Sequence, residues 1–125
     1  MKIAIKPDNA PKAIGPYSPA VLVNNTLYIS GQLGIDPTTG ELAKTIEEQT
    51  RLSLNNIRTI LLEAGMSTDH IVKTTVLLSD INNFGAMNNI YNEYFNEPYP
   101  ARAAFEVAAL PKGGLVEIEA IAVKE

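Results

Sequence analysis

Three ionisable residues stand near the end of the chain where ionisable residues are hardest to accommodate. Arg102 lies in Ala101-Arg102-Ala103-Ala104-Phe105, and Glu117 and Glu119 lie in Leu115-Val116-Glu117-Ile118-Glu119-Ala120-Ile121. Both runs are small, aromatic or β-branched enough to form interior strands. Charges on nearly buried strands are costly unless they are paired or used. The intervening Pro111-Lys112-Gly113-Gly114 reads as a tight return, with Pro111 ending the first ladder and Gly113 and Gly114 accepting positive φ. Two uses of the charges are open. Arg102 and a glutamate can neutralise each other across this hairpin, which local chemistry alone favours. Alternatively, Arg102 waits for an anionic ligand beside a carboxylate that moves protons.

Other residues can contribute to such a site. Tyr17 is stiffened by Pro16 and Pro19, so aiming it costs little entropy, although from residue type alone a tyrosine lid on the core is the favoured reading. Gly31 admits a close approach to its backbone, and Ser30 beside it supplies a hydroxyl. Asn88 falls on the apolar side of a helix, either as a buried structural amide or pointing into a pocket. His70, near Asp69, reads as a turn histidine rather than a general base. With one histidine and no cysteine there is no zinc set, no thiol nucleophile and no disulfide. No phosphate-cradling glycine motif and no G-x-S-x-G around Ser30 occur. No lysine sits in an obviously apolar slot suited to Schiff-base formation, with Lys73 on its strand the one to note.

The elements that must position these residues can be read in order. Met1–Ile5 is a weak first strand, and Lys6–Gly15 is extended and irregular around Pro7 and Pro11. Val21–Val23 and Thr26–Ser30 form a hairpin about Asn24-Asn25. Strict alternation puts Leu27 and Ile29 on one face and Tyr28, Ser30 and Gln32 on the other. Thr45-Ile46-Glu47-Glu48 is a capping box that opens a helix running to about Ala64, with Gly65 as its stop. Its apolar stripe is Leu54, Ile57, Ile60, Leu61 and Ala64, with Arg51 and Arg58 on a polar flank. Ile71–Leu78 is a β-branched strand. A second helix spans about Asn83–Asn96, with Phe84, Met87, Asn88, Tyr91, Tyr94 and Phe95 on its apolar side. Two helices on one face of a mixed sheet give an α+β fold in a single domain, residues 1–125.

Composition narrows the function classes. The chain has 10 Lys and Arg against 14 Asp and Glu, a net charge of −4, and no basic cluster, which argues against a nucleic-acid partner. A single arginine holding a small anion is not excluded. Neither a signal-peptide core nor a membrane span is expected, and the absence of cysteine fits a cytoplasmic location.

The run A-R-A-A-F-E-V-A-A-L-P-K-G-G-L-V-E-I-E resembles the signature of the YjgF/RidA family, the reactive intermediate deaminases. Ile14-Gly15-Pro16-Tyr17-Ser18 and Tyr28-Ile29-Ser30-Gly31-Gln32 carry the same resemblance, which extends from about Lys6 to Val123. It implies a chorismate-mutase-like (YjgF-like) fold assembled as a homotrimer with sites between subunits. It also implies cofactor-free hydrolysis of 2-iminobutanoate and 2-iminopropanoate to 2-keto acids and ammonia. By the same resemblance Arg102 binds the substrate carboxylate and Glu117 activates water. Tyr17, Ser30 and Asn88 bind or orient substrate, and Gly31 and Ala104 offer backbone N–H groups. Many relatives have cysteine where this chain has Ala104, so thiol chemistry is lost while the backbone donor survives. The rival expectations are a non-catalytic keto-acid binder, which does not need Glu117, and a translation-inhibiting endoribonuclease, which the acidic balance disfavours. A chorismate-mutase-like isomerase would need more aimed cations than the chain offers.

Overall fold

A computed structural model describes residues 1–125. Six strands form one sheet: β1 (Lys2–Ile5), β2 (Ala20–Val23), β3 (Thr26–Leu33), β4 (Ile71–Leu78), β5 (Ala101–Glu106) and β6 (Val116–Val123), in the order β1-β2-β3-β6-β4-β5. Two helices, α1 (Ile46–Glu63) and α2 (Phe84–Tyr91), are the long helical elements, and the sheet is mixed because only β4 and β5 run parallel. Parallel neighbours need a crossover, and α2 supplies it between β4 and β5.

The local signals act as expected at several points. Asn24 takes a φ of 51° in the two-residue turn between β2 and β3. Thr45 caps α1 by accepting from the Glu48 N–H at 3.1 Å. At the other end, Gly65 takes a φ of 71°, and the N–H groups of Gly65 and Met66 return to the carbonyls of Leu62 and Leu61. Leu54, Ile57, Ile60 and Leu61 are buried against the sheet with Val76, Leu78, Val116 and Ile118.

Three expectations are corrected. The Arg102 and Glu117 runs are not a hairpin: β4 lies between β5 and β6 and pairs with both, so the Pro111–Gly114 turn carries the chain across β4. In that turn Lys112 and Gly113 take positive φ, whereas Gly114 does not. The second helix ends at Tyr91: the Asn92 N–H still bonds four residues back to Asn88, but those of Glu93 and Tyr94 bond three residues back, tightening the chain into turns. Gln32 is not on the face of Tyr28 and Ser30. A bulge in β3 sets Ser30 and Gly31 together against Glu119, between the pairs Ile29↔Ala120 and Gln32↔Ile118. The extra residue reverses the alternation, which buries Gln32 and keeps Ser30 and Gly31 on the uncovered side.

A row of buried polar side chains on α1 fixes the strand beyond this bulge. Ser53 Oγ donates to the Gln32 carbonyl at 2.7 Å, and Asn56 Nδ2 donates to the Ile35 carbonyl at 2.9 Å. Gln49 donates to the Ala43 carbonyl and accepts from the Leu115 N–H, each at 2.8 Å. Gly34 lets α1 approach this closely, since a Cβ there would overlap the Gln49 backbone. Backbone cannot swing aside as a side chain can, so Gly34→Ala should force α1 off the strand. We expect a loss of about 2–4 kcal/mol, the upper range for overpacking, read as a lowered midpoint in urea unfolding.

Candidate functional site

The residues singled out from the sequence fall into two groups on opposite faces of the sheet. On β4 and β6 the side chains of Thr74, Val76, Leu78, Ile118 and Ala120 point into the core, and the register places Arg102 and Ala104 of β5 beside Thr74 and Val76 on that helix-covered side. Glu117 and Glu119 alternate with the buried residues of β6 and therefore occupy the uncovered side. The sheet itself separates Arg102 from Glu117, so neutralisation within the chain does not occur. The chain's one salt bridge is Arg51 to Glu93, at 2.7 Å on the surface.

The first group is built around Arg102. Its Nη1 donates to Asn88 Oδ1 at 2.7 Å. The guanidinium carbon lies 4.7 Å from the Tyr91 ring centroid and 5.4 Å from that of Phe84. Phe84, Asn88 and Tyr91 occupy successive turns of one α2 face, so one helix supplies two aromatic rings and an amide to a single cation. Tyr91 is locked from below, where its hydroxyl shares a 2.8 Å hydrogen bond with Thr74 Oγ1. Burial raises the Tyr91 phenol above its ordinary pKa, which keeps the ring neutral beneath the cation. The guanidinium is thus oriented without being neutralised, and it faces a cavity of about 570 Å³ lined also by Asn88, Asn92, Tyr99 and Pro100. The sequence contained part of this signal in the spacing of Phe84, Asn88 and Tyr91. The role of Thr74 was not legible, because its partner is remote in sequence.

The backbone of β5 adds donors to this group. β5 is the outer strand, and the Val107 N–H donates inward to the Leu78 carbonyl at 2.8 Å. Since inward and outward N–H groups alternate along a strand, those of Arg102, Ala104 and Glu106 point to the free edge. Ala104 therefore contributes an unpaired main-chain donor on the strand that carries the cation.

The second group surrounds Glu117. Tyr17, Ser30, Gly31, Leu77, Pro111, Glu117 and Glu119 line a cavity of about 400 Å³ on the uncovered face. Tyr17 is 53% exposed, so it is not a lid on the core. The Glu117 carboxylate lies against Gly31, where an added Cβ would stand 2.9 Å from Oε2. Ser30 Oγ donates to the Ser18 carbonyl at 2.6 Å and the Ser30 N–H to the Pro19 carbonyl at 2.9 Å, which anchors the Tyr17 loop to the bulge. Burial, and secondarily the charge of Glu119, raises the Glu117 pKa above the usual carboxylate value. A carboxyl raised in this way is suited to taking and returning protons near neutrality.

The remaining candidates have structural settings. His70 Nδ1 accepts from the Ser67 N–H at 3.0 Å inside a short helical turn. Arg58 stacks over Tyr94 at 5.2 Å, and Lys73 lies on the uncovered face with Tyr28 and Glu119. No group of three or more His, Asp or Glu side chains is placed to hold a metal ion. No helix is long and apolar enough to cross a membrane.

Comparison with known proteins gives consistent matches. The family described as Endoribonuclease L-PSP matches residues 7–124. A Capra hircus protein named 2-iminobutanoate/2-iminopropanoate deaminase is 59% identical over 116 residues, spanning 92% of this chain and 85% of that protein. The crystal structure of RidA from the Antarctic bacterium Psychrobacter sp. PAMC 21119 superposes with a TM-score of 0.95 at 49% identity, covering 98% of this chain and 99% of that one. The crystal structure of E. coli TdcF with bound serine superposes with a TM-score of 0.94 at 41% identity over the same shares of the two chains.

Proposed function

We propose a function from one premise: the chain belongs to the Endoribonuclease L-PSP family. It hydrolyses 2-imino acids of the 2-iminobutanoate and 2-iminopropanoate type to 2-keto acids and ammonia, as relatives with that name do. The observation that carries this reading is Arg102, a cation held rigidly, lacking an acidic partner and facing open space. The whole chain, residues 1–125, acts as one domain, and a cytoplasmic setting is proposed for it.

The chemistry follows from the two groups of residues. Arg102 grips the substrate carboxylate through its planar fork, aided by the outward Ala104 N–H and the Asn88 amide. The imine carbon is then fixed, and its protonated C=N bond is electrophilic without a covalent helper. Glu117 accepts a proton from water as the water adds to that carbon. It returns a proton to the nitrogen of the tetrahedral adduct, the C–N bond breaks, and ammonia and the keto acid leave. Tyr17, Ser30 and the exposed backbone at Gly31 hold the substrate beside Glu117. Fixing the reactants and placing one acid–base group each contribute to rate.

Because the sheet separates Arg102 from Glu117 within a chain, one site needs two copies. The β5 edge of one subunit meets the uncovered sheet face of the next, and a homotrimer closes the ring. This reading predicts complementation. An imine generated in situ by a threonine dehydratase is hydrolysed faster with the protein than without it, and at substrate levels below KM Arg102→Ala and Glu117→Gln each reduce that acceleration by about a hundredfold or more. Refolding the two variants together restores roughly a quarter of the sites, since random assembly joins an intact Arg102 to an intact Glu117 at that frequency. No recovery on mixing sinks the shared site, and no acceleration by the unaltered protein sinks the deaminase. A ribonuclease reading is less well supported, because a chain with more acids than bases and no cationic stripe lacks a surface for a phosphate backbone.

A further inference from the structure

Ser30 stands between the two side chains that the reaction uses on the uncovered face. Its neighbour Gly31 backs the Glu117 carboxylate, and Ser30 itself holds the stretch that carries Tyr17. That stretch, residues 6–19, joins β1 to β2 and contains no helix or strand. Two hydrogen bonds close within it, from the Ala10 N–H to the Pro7 carbonyl and from the Tyr17 N–H to the Gly15 carbonyl. The hydrogen bonds that tie it to the sheet both come from Ser30. The Ser30 N–H donates to the Pro19 carbonyl at 2.9 Å, continuing the β2–β3 pairing one residue past Ala20, and Oγ donates to the Ser18 carbonyl at 2.6 Å. Ala10 and Pro19 are buried, whereas Ile14, Gly15, Pro16 and Tyr17 between them are exposed. Packing thus secures the two ends of a strap, and Ser30 clamps it immediately beside Tyr17.

A serine has two hydrogens to donate, one on nitrogen and one on oxygen. Both are committed to the strap, so Ser30 has no donor left for a substrate carboxylate or a keto oxygen. We propose, building on the deaminase reading, that Ser30 is a positioning residue that serves the reaction through Tyr17 instead of touching the substrate. The bulge in β3 gives this arrangement its precision. It sets Ser30 and Gly31 side by side on the uncovered face, so one irregularity of one strand fixes both the strap that carries the Tyr17 ring and the backbone against which Glu117 rests. Tyr17, Gly31 and Glu117 line the same cavity, and the clamp therefore sets where the phenol stands relative to the carboxylate. Releasing it frees an exposed segment to move, and a substrate held by a mobile group is held in fewer reactive geometries.

The experiment measures kcat/KM for the imine released from threonine by a dehydratase, in the parent, Ser30→Ala, Tyr17→Ala and the double variant. Ser30→Ala should lose roughly threefold to tenfold, the scale of one neutral hydrogen bond, and Tyr17→Ala at least as much. The double variant should match Tyr17→Ala to within about twofold, because the clamp then has no ring to aim. Ser30→Thr keeps both donors and should stay within about twofold of the parent. Trypsin reports the strap itself. Lys12 is its exposed cleavage point, since Lys6 is followed by proline, and Ser30→Ala should be cut there faster than the parent while Ser30→Thr is not. Losses that multiply in the double variant, or a loss in Ser30→Ala with unchanged cutting at Lys12, make Ser30 a substrate contact and overturn the inference while the deaminase reading stands. Full activity in Ser30→Ala or in Tyr17→Ala overturns it as well. No acceleration by the parent overturns both.

Discussion

Replacing Glu117 by glutamine should leave a protein that binds keto acids, turns over imines about 10²–10⁴ times more slowly, and is more stable than the original at neutral pH. The loss of rate follows because glutamine fills the same space against Gly31 but neither accepts a proton from water nor returns one to nitrogen. The loss should appear in kcat, since carboxylate binding depends on Arg102. The gain in stability follows from the sign of the pKa displacement. Burial, then Glu119, raises the folded-state pKa of Glu117 above its unfolded value. The native state therefore holds this proton more tightly than the unfolded chain. That contribution is complete below the ordinary glutamate pKa and is lost as pH rises through the raised folded value. At neutral pH the ionised Glu117 is a burden on the fold, which glutamine removes. The Tm of Glu117→Gln should exceed that of the parent at pH 7, and the difference should close as pH falls below the ordinary glutamate range. The same displacement places the acidic limb of the parent's kcat/KM profile, which reports the free enzyme, above the pKa of a free glutamate. A variant with lowered Tm at pH 7 and undiminished kcat would remove Glu117 from the chemistry.

The burial of Glu117 is set by partners distant in the chain, whereas local reasoning from sequence succeeds where partners are near. Elements specified by neighbours in the chain, such as the Thr45 cap, the Asn24-Asn25 turn, the Gly65 stop and strand β4, occur where their residues place them. Features set by distant partners do not announce themselves. The hairpin between β5 and β6 fails because β4 outcompetes either strand as a partner for the other, and no residue in the turn encodes that choice. Gln32 changes face because one bulge reverses the alternation; its buried amide donates to the Ser30 carbonyl, and its own carbonyl accepts from Ser53, 21 residues away. For the site, the residue types were legible and their separation was not. Arg102 and Glu117 lie in adjacent sequence motifs, yet the odd or even position of each on its strand decides its face. That parity sets two charges resembling an ion pair on opposite faces of the sheet, where the proposed site draws on one from each of two subunits.

Arg102→Ala should reduce kcat/KM for 2-imino acids by about 10²–10³, the consequence of removing a charged, hydrogen-bonded anchor worth roughly 3–4 kcal/mol. Most of the effect should fall on KM, because the carboxylate is held alike in the ground state and the transition state. Arg102→Lys separates charge from shape. A lysine keeps the positive charge near the Tyr91 and Phe84 rings, but it has neither the planar fork for a carboxylate nor the flat stacking surface. It should recover only part of the lost affinity, and that part should weaken with added salt as a point-charge contact does. Folding should survive both changes. Arg102 lies on the outer strand and makes no salt bridge, and its side-chain partner Asn88 remains half-exposed, with water available once the guanidinium is gone. A small shift in Tm together with a large rise in KM is therefore the expected pair of results. If lysine supports the full rate, or if alanine raises kcat and KM together, the guanidinium is not the group that holds the substrate carboxylate.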